Sequence, residues 1–399
     1  MKKPDITQLE TLNVIMVGHI DHGKTTLLHK LTGKWTDTHS EELKRGITIR
    51  LGYAEIVLSK GDQGYNKDNN GEPIRYVSFV DAPGHEMLMA TMLSGAAIVD
   101  AAILVIAANE GIKPQTREHL VAVQAKNIHN VIIVQNKIDL VTKEQALKNY
   151  KDIKSLVKGT VAENAPIIPV SAQHEINIDK IYEALMAIPL PKRAIDAAPL
   201  FVIARSFDIN KPGTTPEKLH GAVLGGTLKS GTIAVGDSIE IKPGIPFKEA
   251  NQVKYKPFKT NVRSLFKGIT SVQSITPGGS VSIETELDMG LGKSDLLAGC
   301  VASHTGTLPE AVSTLKMKYE LFKEMLGTIP ATKVEPLKTN EMIMLSINTS
   351  VSVGIIKTLK NNEAELNLRI PIVPFKGENI AIARNINNHW RLIGHGEIV

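Results

Sequence analysis

The stretch GHIDHGKT, residues 18–25, constrains the fold of this chain more than any other sequence feature, because it fits the pattern G-x-x-x-x-G-K-[ST]. It directly follows an apolar run at residues 13–17. Glycines in such a turn let backbone N–H groups point at phosphate oxygens, while the lysine reaches the β and γ oxygens and the last hydroxyl binds magnesium. The sequence therefore predicts a phosphate-binding turn between a buried strand and a helix.

Apolar, strand-like runs alternate with helix-like patterns between residues 12 and 187. The runs lie at residues 13–17, 75–80, 101–107, 131–135 and 166–170. Helical patterns such as residues 115–126 and 143–157 separate them. This alternation is typical of an α/β domain that has a mostly parallel sheet with helices on both faces.

A proline-rich segment, IPLPKRAIDAAP, interrupts both periodicities at residues 188–199. Beyond it the strand-like runs are short and turns rich in glycine and proline are frequent, which is typical of an all-β sandwich or barrel. A softer boundary lies near residues 305–308. We expect three domains: residues 1–196, residues 197–307 and residues 308–399.

The composition narrows the class of protein. The single cysteine, Cys300, excludes an internal disulfide and a multi-cysteine metal site, and this usage favours a reducing cytoplasm. The first 12 residues have no apolar signal-peptide core, so we expect the mature chain to start near Met1. The longest apolar stretch, residues 96–108, is broken by Asp100 and too short for a membrane helix. The net charge of +5 points only weakly to nucleic acid.

A carboxylate and a glycine end another strand-like run, in DAPG at residues 81–84. Asp81 can hold Mg²⁺ through water, and Gly84 can offer its N–H to a γ-phosphate. The pattern D-x-x-G alone is a common turn sequence. Its place at a strand end after the phosphate-binding turn makes it a candidate magnesium and phosphate site.

The sequence NKID at residues 136–139 closes a further run and favours guanine over adenine. The Asp139 carboxylate can accept hydrogen bonds from N1–H and from the 2-amino group of guanine, which adenine lacks, and a buried carboxylate left without these partners rejects the wrong base. Asn136 would tie the base loop to the phosphate loop, and the stem of Lys137 would cover the base. SAQ at residues 171–173 would add an N–H to guanine O6.

Together these motifs predict a GTPase with Mg²⁺. The residues expected to bind the nucleotide are Asp21, His22, Gly23, Lys24, Thr25, Thr26, Gly84, Asn136, Lys137, Asp139, Ser171, Ala172 and Gln173.

Two residues near these motifs have a functional and a structural interpretation. Thr48, in RGITI, is either the hydroxyl of a mobile loop that closes on Mg²⁺ or a β-branched residue that starts a strand. We favour the metal ligand because its spacing after Thr25 suits a switch loop. His85 either orients the attacking water, as the catalytic residue, or is a solvent-facing histidine.

These motifs, with WTDTHSEELKRGITI from residue 35 and RSFDINKPGT from residue 205, closely resemble the gamma subunits of archaeal and eukaryotic translation initiation factor 2. This is a translational GTPase family, and the match spans nearly the whole chain. The resemblance implies a G domain followed by two β-barrels. It also implies a heterotrimer with alpha and beta subunits that delivers methionylated initiator tRNA to the small ribosomal subunit, with no part for a membrane.

The resemblance carries further roles onto single residues. Thr25 and Thr48 resemble Mg²⁺ ligands, and Asp21 with the backbone of Gly46 resembles a second metal position, although Asp21 also fits a solvated loop carboxylate. Tyr53, in LGYAE, resembles a tyrosine of the family's pocket for the tRNA end, where an aromatic face stacks on a base. A half-buried strand aromatic is the alternative.

The chain departs from many family members at residues 59–74, where they carry a cysteine-rich zinc knuckle. SKGDQGYNKDNNGEPI contains no cysteine, and a polar hairpin can replace a metal staple with turn chemistry. We expect no zinc and a mobile insert.

Other functions share the nucleotide motifs. An elongation-type or selenocysteine-type carrier differs in tRNA preference alone, whereas a regulatory GTPase subunit of a metabolic enzyme needs no tRNA. A scaffold that binds GTP and barely hydrolyses it would fail a phosphate-release assay.

Overall fold

A computed structural model describes most of the chain. The described residues are 4–36, 48–62, 64–68, 70–85, 88–250, 252–325 and 332–399. The chain separates into two compact units. The first comprises Met1–Pro191, Leu321–Pro336 and Ala383–His395, and the second comprises Lys192–Glu320, Leu337–Ile382 and Gly396–Val399. In the described residues no helix is long and apolar enough to cross a membrane.

A seven-stranded sheet forms the centre of the first unit. Its strands are β1 (Glu10–Gly18), β2 (Gly52–Gly61), β3 (Gly64–Asn66), β4 (Glu72–Asp81), β5 (Ala101–Ala107), β6 (Asn130–Asn136) and β7 (Ile167–Pro169). The described helices are α1 (Lys24–Thr32), α2 (Met89–Ala96), α3 (Pro114–Ala125), α4 (Lys143–Val157) and α5 (Ile178–Ala187). Ile138–Leu140 form a short 3₁₀ turn.

The strand order is β3-β2-β4-β1-β5-β6-β7. Five neighbouring strands are parallel: β4, β1, β5, β6 and β7. Strands β2 and β3 are antiparallel additions at one edge. Val14 belongs to a core cluster with Leu28 of α1, whereas Ile15 faces α2 close to Gly95. Successive residues of β1 are thus buried by helices on opposite faces, as the near-continuous apolar runs predict.

The cysteine-free insert forms a short antiparallel ribbon of β2 and β3. Asn66 fixes its turn, because its Oδ1 accepts hydrogen bonds from the N–H groups of Asp68 (3.1 Å) and Asn70 (3.3 Å), and its Nδ2 donates to the Asn70 carbonyl (2.8 Å). Tyr65 packs against the core of the unit. The described part of the insert thus contacts the core through Tyr65, and the mobile insert that we expected stays a prediction.

The second unit begins with a closed ring of six antiparallel strands. In chain order its region contains β8 (Leu200–Phe207), β9 (Val223–Ser230), β10 (Ile233–Ala234), β11 (Ser238–Glu249), β12 (Gln252–Lys267), β13 (Thr270–Val272), β14 (Ser274–Ile275), β15 (Val281–Thr285) and β16 (Val301–His304). The ring runs β11-β16-β8-β9-β15-β12 and closes between β12 and β11. Two 3₁₀ segments are Pro216–Lys218 and Met289–Asp295. Cys300 lies buried in the core of this barrel.

A second six-stranded barrel is built from the C-terminal part of the chain. The strands here are β17 (Val312–Leu321), β18 (Glu324–Met325), β19 (Thr332–Lys333), β20 (Met342–Ile347), β21 (Ser350–Lys360), β22 (Glu363–Ile372), β23 (Asn379–Ile386) and β24 (His389–Ile398). The barrel order is β17-β22-β21-β20-β23-β24. The expected fold class, an α/β domain followed by two β-barrels, is confirmed.

Candidate nucleotide-binding site

The predicted phosphate-binding turn links β1 to α1. Gly23 has a φ of +88°, and a Cβ there would lie 2.5 Å from Nδ2 of Asn136, so this position requires glycine. Lys24 is buried, and its Nζ donates hydrogen bonds to the carbonyls of Gly18 (2.9 Å) and His19 (2.8 Å). The turn thus already surrounds its lysine with backbone oxygens.

Three of the predicted magnesium ligands lie together beside the turn. The Oγ1 of Thr25 donates to Oδ2 of Asp81 at 2.9 Å and lies 3.2 Å from Oγ1 of Thr48. Asp81 ends β4 with none of its surface exposed, and Thr36 also donates to its Oδ2, at 2.7 Å. Thr36 was not among the predicted site residues, since nothing in its spacing distinguishes it.

This group of oxygens fits Mg²⁺. The ion prefers hard oxygen ligands and binds through one or two carboxylates, waters and substrate phosphates. The hydroxyls of Thr25 and Thr48 and the carboxylate of Asp81 are such ligands. Asp21 lies exposed in the turn with a φ of +60°, and Gly46 lies outside the described residues.

The DAPG segment reaches the phosphate-binding turn. A Cβ on Gly84 would lie 2.6 Å from Nζ of Lys24 and 2.8 Å from the N of Ile20, so the two loops touch at this glycine. His85 follows, half-buried, and its carbonyl accepts from the N–H of Leu88 at 2.9 Å. The histidine therefore lies one residue from the contact between the loops.

Asn136 joins three loops. Its Nδ2 donates to the carbonyl of His22 at 3.0 Å, and its Oδ1 accepts from the N–H of Ala172 at 3.1 Å. One buried side chain at the end of β6 therefore connects NKID to both the phosphate-binding turn and SAQ. Ser171 is buried, and Gln173 is exposed beside it.

The residues expected to face the base lie in an accessible loop. Lys137 has a φ of +61°, and its Nζ donates to Oε1 of Glu110 at 3.3 Å. Oδ2 of Asp139 lies 3.8 Å from Nε2 of His174, whose side chain is 62% exposed. The side chains of Lys137 and Asp139 are 27% and 20% exposed, so both stand partly buried at this end of the site.

Two buried histidines lie in and beside the phosphate-binding turn. Burial is the main cause that lowers the pKa of His22 to about 4, and His19 and Lys24 lower it further. His119 on α3 was missed in the sequence, yet its Nδ1 accepts from the N–H of Gly18 at 2.8 Å. Burial, followed by the charge of Lys24, lowers the pKa of His119 to about 3. Both imidazoles are therefore neutral at neutral pH.

Tyr53 lies on β2, next to Gly52, which pairs with Asp81. It is half-buried and pairs with Val80 of β4 across the antiparallel ladder. Its position agrees with either interpretation of this residue.

Two family descriptions match the chain. Residues 9–190 match "Elongation factor Tu GTP binding domain", and residues 313–398 match "Initiation factor eIF2 gamma, C terminal". The first match covers the sheet and all of the loops described above.

Curated relatives match the chain along nearly its full length. The translation initiation factor 2 subunit gamma of Methanococcus maripaludis is 49% identical and covers 97% of this chain and 98% of its own length. The proteins of the same name from Pyrococcus furiosus and Archaeoglobus fulgidus are also 49% identical, and each covers 98% of this chain. These alignments cover 98% and 95% of those two proteins.

Solved structures share the fold. A bacterial selenocysteine-specific elongation factor superposes with a TM-score of 0.77 at 23% identity, and the match covers 98% of this chain and 58% of that one. The elongation factor SelB of Methanococcus maripaludis with the GTP analogue GppNHp gives a TM-score of 0.75 at 23% identity, covering 98% and 79%. At this level of identity the likeness concerns the fold alone.

Proposed function

Because the chain belongs to the translation initiation factor 2 gamma-subunit family, we propose that it carries methionylated initiator tRNA to the small ribosomal subunit under the control of GTP. As a member of a translational GTPase family it binds GTP and GDP with Mg²⁺ and hydrolyses GTP. The single observation that carries the proposal is the 49% identity to initiation factor gamma subunits over nearly the full chain. Elongation-type carriers and regulatory subunits of metabolic enzymes are not favoured by it.

Each loop at a strand end has its own role in binding GTP. Lys24 and the N–H groups of residues 21–26 would bind the phosphates, and Thr25, Thr48 and Asp81 would hold Mg²⁺, which would neutralise charge on the phosphate oxygens. Gly84 donates its N–H to the γ-phosphate. Asp139 binds the guanine edge. These roles rest on the contacts among the loops and on the motif each loop carries.

Hydrolysis requires an oriented water. His85 follows Gly84, and we assign it to position that water near the γ-phosphate, because the loop of Gly84 touches Lys24. Asp21 with Gly46 is assigned to a second cation, and Tyr53 to stacking on the terminal base of tRNA.

The nucleotide and tRNA act on one equilibrium. Thr48 and Gly84 would take one arrangement around the γ-phosphate, and tRNA would bind that arrangement. GTP and tRNA then strengthen each other's binding by the same factor. We propose domain bounds at residues 196/197 and 307/308, so that tRNA is carried by a G domain with two barrels.

The test compares methionylated initiator tRNA with an elongator tRNA, each with a GTP analogue and with GDP, at one fixed salt concentration. The alpha subunit is added in a parallel series. We expect initiator preference with the GTP analogue alone. Equal affinity for both tRNAs supports an elongation-type carrier, and failure of both series to bind tRNA contradicts the proposal.

Two surfaces support a subunit that has two different protein partners. In the second unit, β11 and β12 extend as a ribbon over residues 245–256. Neighbouring residues Phe247 and Lys248, which point to opposite faces, are both exposed, and Val253 is 60% exposed. A ribbon that is solvated on both faces gains little from burial on its own.

The other surface is a cavity of about 590 Å³ in the first unit, beside β7 and α5. Its apolar lining includes Ile132, Ile168, Ala184, Ala187 and Pro189. None of these belongs to the nucleotide motifs. Ala184→Trp would occupy part of the cavity, and Phe247→Ala would remove an exposed apolar side chain from the ribbon. We expect each change to weaken the binding of one partner, the alpha or the beta subunit, in co-purification. GDP affinity should stay unaltered.

We also propose that the insert holds no zinc. The Asn66 hydrogen bonds support this, because they close the turn that cysteines and a metal would otherwise close. Metal analysis of the purified protein should find no stoichiometric zinc. One tightly bound zinc per chain would contradict the proposal.

A further inference from the structure

Helix α3 presents two side chains to the phosphate-binding turn. Nδ1 of His119 accepts a hydrogen bond from the N–H of Gly18 at 2.8 Å, and Oε1 of Gln115 accepts from the N–H of Ile20 at 3.4 Å. Residues four apart on a helix lie on one face, and the two N–H groups lie two apart in the turn. One face of α3 therefore accepts hydrogen bonds from the backbone at the start of the phosphate-binding turn.

Gly18 is held closely from its other side as well. Its φ is +136°, and a Cβ there would lie 2.3 Å from the carbonyl oxygen of Val105 in β5. The backbone of Gly18 is thus confined between β5 and α3, and the acceptor on α3 determines whether its N–H is satisfied.

His119 is suited to be a permanent acceptor. Only an imidazole whose Nδ1 carries no proton can accept the Gly18 N–H, which places the proton on Nε2. The residue is 1% exposed, and its burial keeps the ring neutral. A neutral acceptor also adds no negative charge beneath bound phosphates, as a carboxylate would.

The helix itself is fixed next to this residue. Glu118 is buried and accepts a hydrogen bond from the guanidinium of Arg391, which belongs to the same compact unit. The position of His119 is therefore held by a neighbour as well as by its own burial.

We propose that His119 is a positioning residue for nucleotide binding. Its Nδ1 holds the Gly18 peptide so that the N–H groups that follow face the phosphates, without contacting the nucleotide. The inference rests on the proposed roles of residues 21–26.

The experiment measures GDP affinity and GTP-analogue affinity by calorimetry with Mg²⁺ for the full-length chain. The variants are His119→Asn, whose amide Oδ1 is bonded to Cγ as Nδ1 is and can accept from the same N–H, His119→Gln, whose amide oxygen lies one carbon further out, and His119→Phe, which has no acceptor. The control, His129→Phe, makes the same change at an exposed histidine after α3. Thermal unfolding without nucleotide is followed in parallel.

We expect His119→Phe and His119→Gln to weaken both nucleotides about tenfold or more, since a buried N–H loses its partner. His119→Asn should stay within about threefold of wild type. His129→Phe should match wild type. If His119→Phe does not fold, the comparison of Gln with Asn decides the matter.

Two results would overturn the inference alone: wild-type affinity in a folded His119→Gln protein, or equal losses in the Gln and Asn variants. A change in unfolding temperature with unaltered nucleotide affinity would show a purely structural role. A wild-type protein without affinity for guanine nucleotides would overturn the proposed site and this inference together.

Discussion

The two ends of the nucleotide site are built in different ways. At the phosphate end, Lys24 and Asp81 are buried, glycines allow the loops to touch, and backbone carbonyls surround the lysine. At the base end, Asp139 and Lys137 lie in a surface loop with part of each side chain exposed, and His174 beside them is largely exposed. The first end is part of the folded core, whereas the second is a set of side chains placed on it. Changes at the phosphate end should therefore affect every nucleotide, and changes at the base end should affect the choice of base.

The largest effect should follow removal of the phosphate-end cation. Lys24→Met should weaken GDP and GTP about a thousandfold, because phosphate charge would lose its buried partner. Calorimetry checks this, with Lys30→Met on the same helix as the control, since Lys30 pairs with Glu175 at 2.8 Å instead. Similar losses of nucleotide affinity in both variants would show that Lys24 has no special role compared with the rest of α1.

A smaller and more selective effect is expected at the base end. Asp139→Asn should weaken GDP roughly several hundredfold and strengthen xanthosine diphosphate, whose 2-oxo group can accept from the new amide. Competition between the two nucleotides measures the exchange. If all nucleotides weaken equally, Asp139 supports the fold of the loop and does not read the base.

The chemical step should separate from binding at His85. His85→Ala should slow single-turnover GTP hydrolysis about a hundredfold, because a positioned group that orients the water is lost. GDP affinity should stay near wild type. Unchanged hydrolysis in rapid-quench measurements would remove His85 from the mechanism.

We expect acid to lower the free energy of unfolding through the buried histidines at the phosphate end. The unfolded chain protonates histidine near pH 6.5, but burial lowers the pKa of folded His119 to about 3, so stability is full above pH 6.5 and falls as the pH drops toward 3. This residue alone contributes a slope of about 1.4 kcal/mol per pH unit, and His22 adds to it. Urea unfolding at pH 7.5 and pH 5.5 should show a smaller loss for His119→Gln than for wild type. An equal loss would contradict the neutral state of His119.

Much of the site could be predicted from the sequence, because the carboxyl ends of parallel strands lie at one edge of a sheet. DAPG, NKID and SAQ each follow a strand or strand-like run, so their order along the chain predicted that they meet. The contact between His119 and Gly18 could not be predicted, since it joins residues 101 positions apart and follows no spacing rule. Thr36 is a similar case, because its bond to Asp81 depends on how the chain returns after α1.

The barrels show the same division. Frequent turns predicted an all-β region but left sandwich and barrel equal, because both are made from short alternating strands. The barrel is closed by the pairing of β11 with β12. The register of this pairing can be seen only in the folded chain. Likewise, the grouping of Leu321–Pro336 and Ala383–His395 with the first unit arises from contacts far apart in sequence.

The most direct test of the account is calorimetric titration of the wild-type chain with GDP, a GTP analogue and ADP, each with Mg²⁺. The account predicts that both guanine nucleotides bind at least about a hundredfold more tightly than ADP, because Asp139 pairs with guanine and is left unsatisfied by adenine. Equal affinity for GDP and ADP would contradict it.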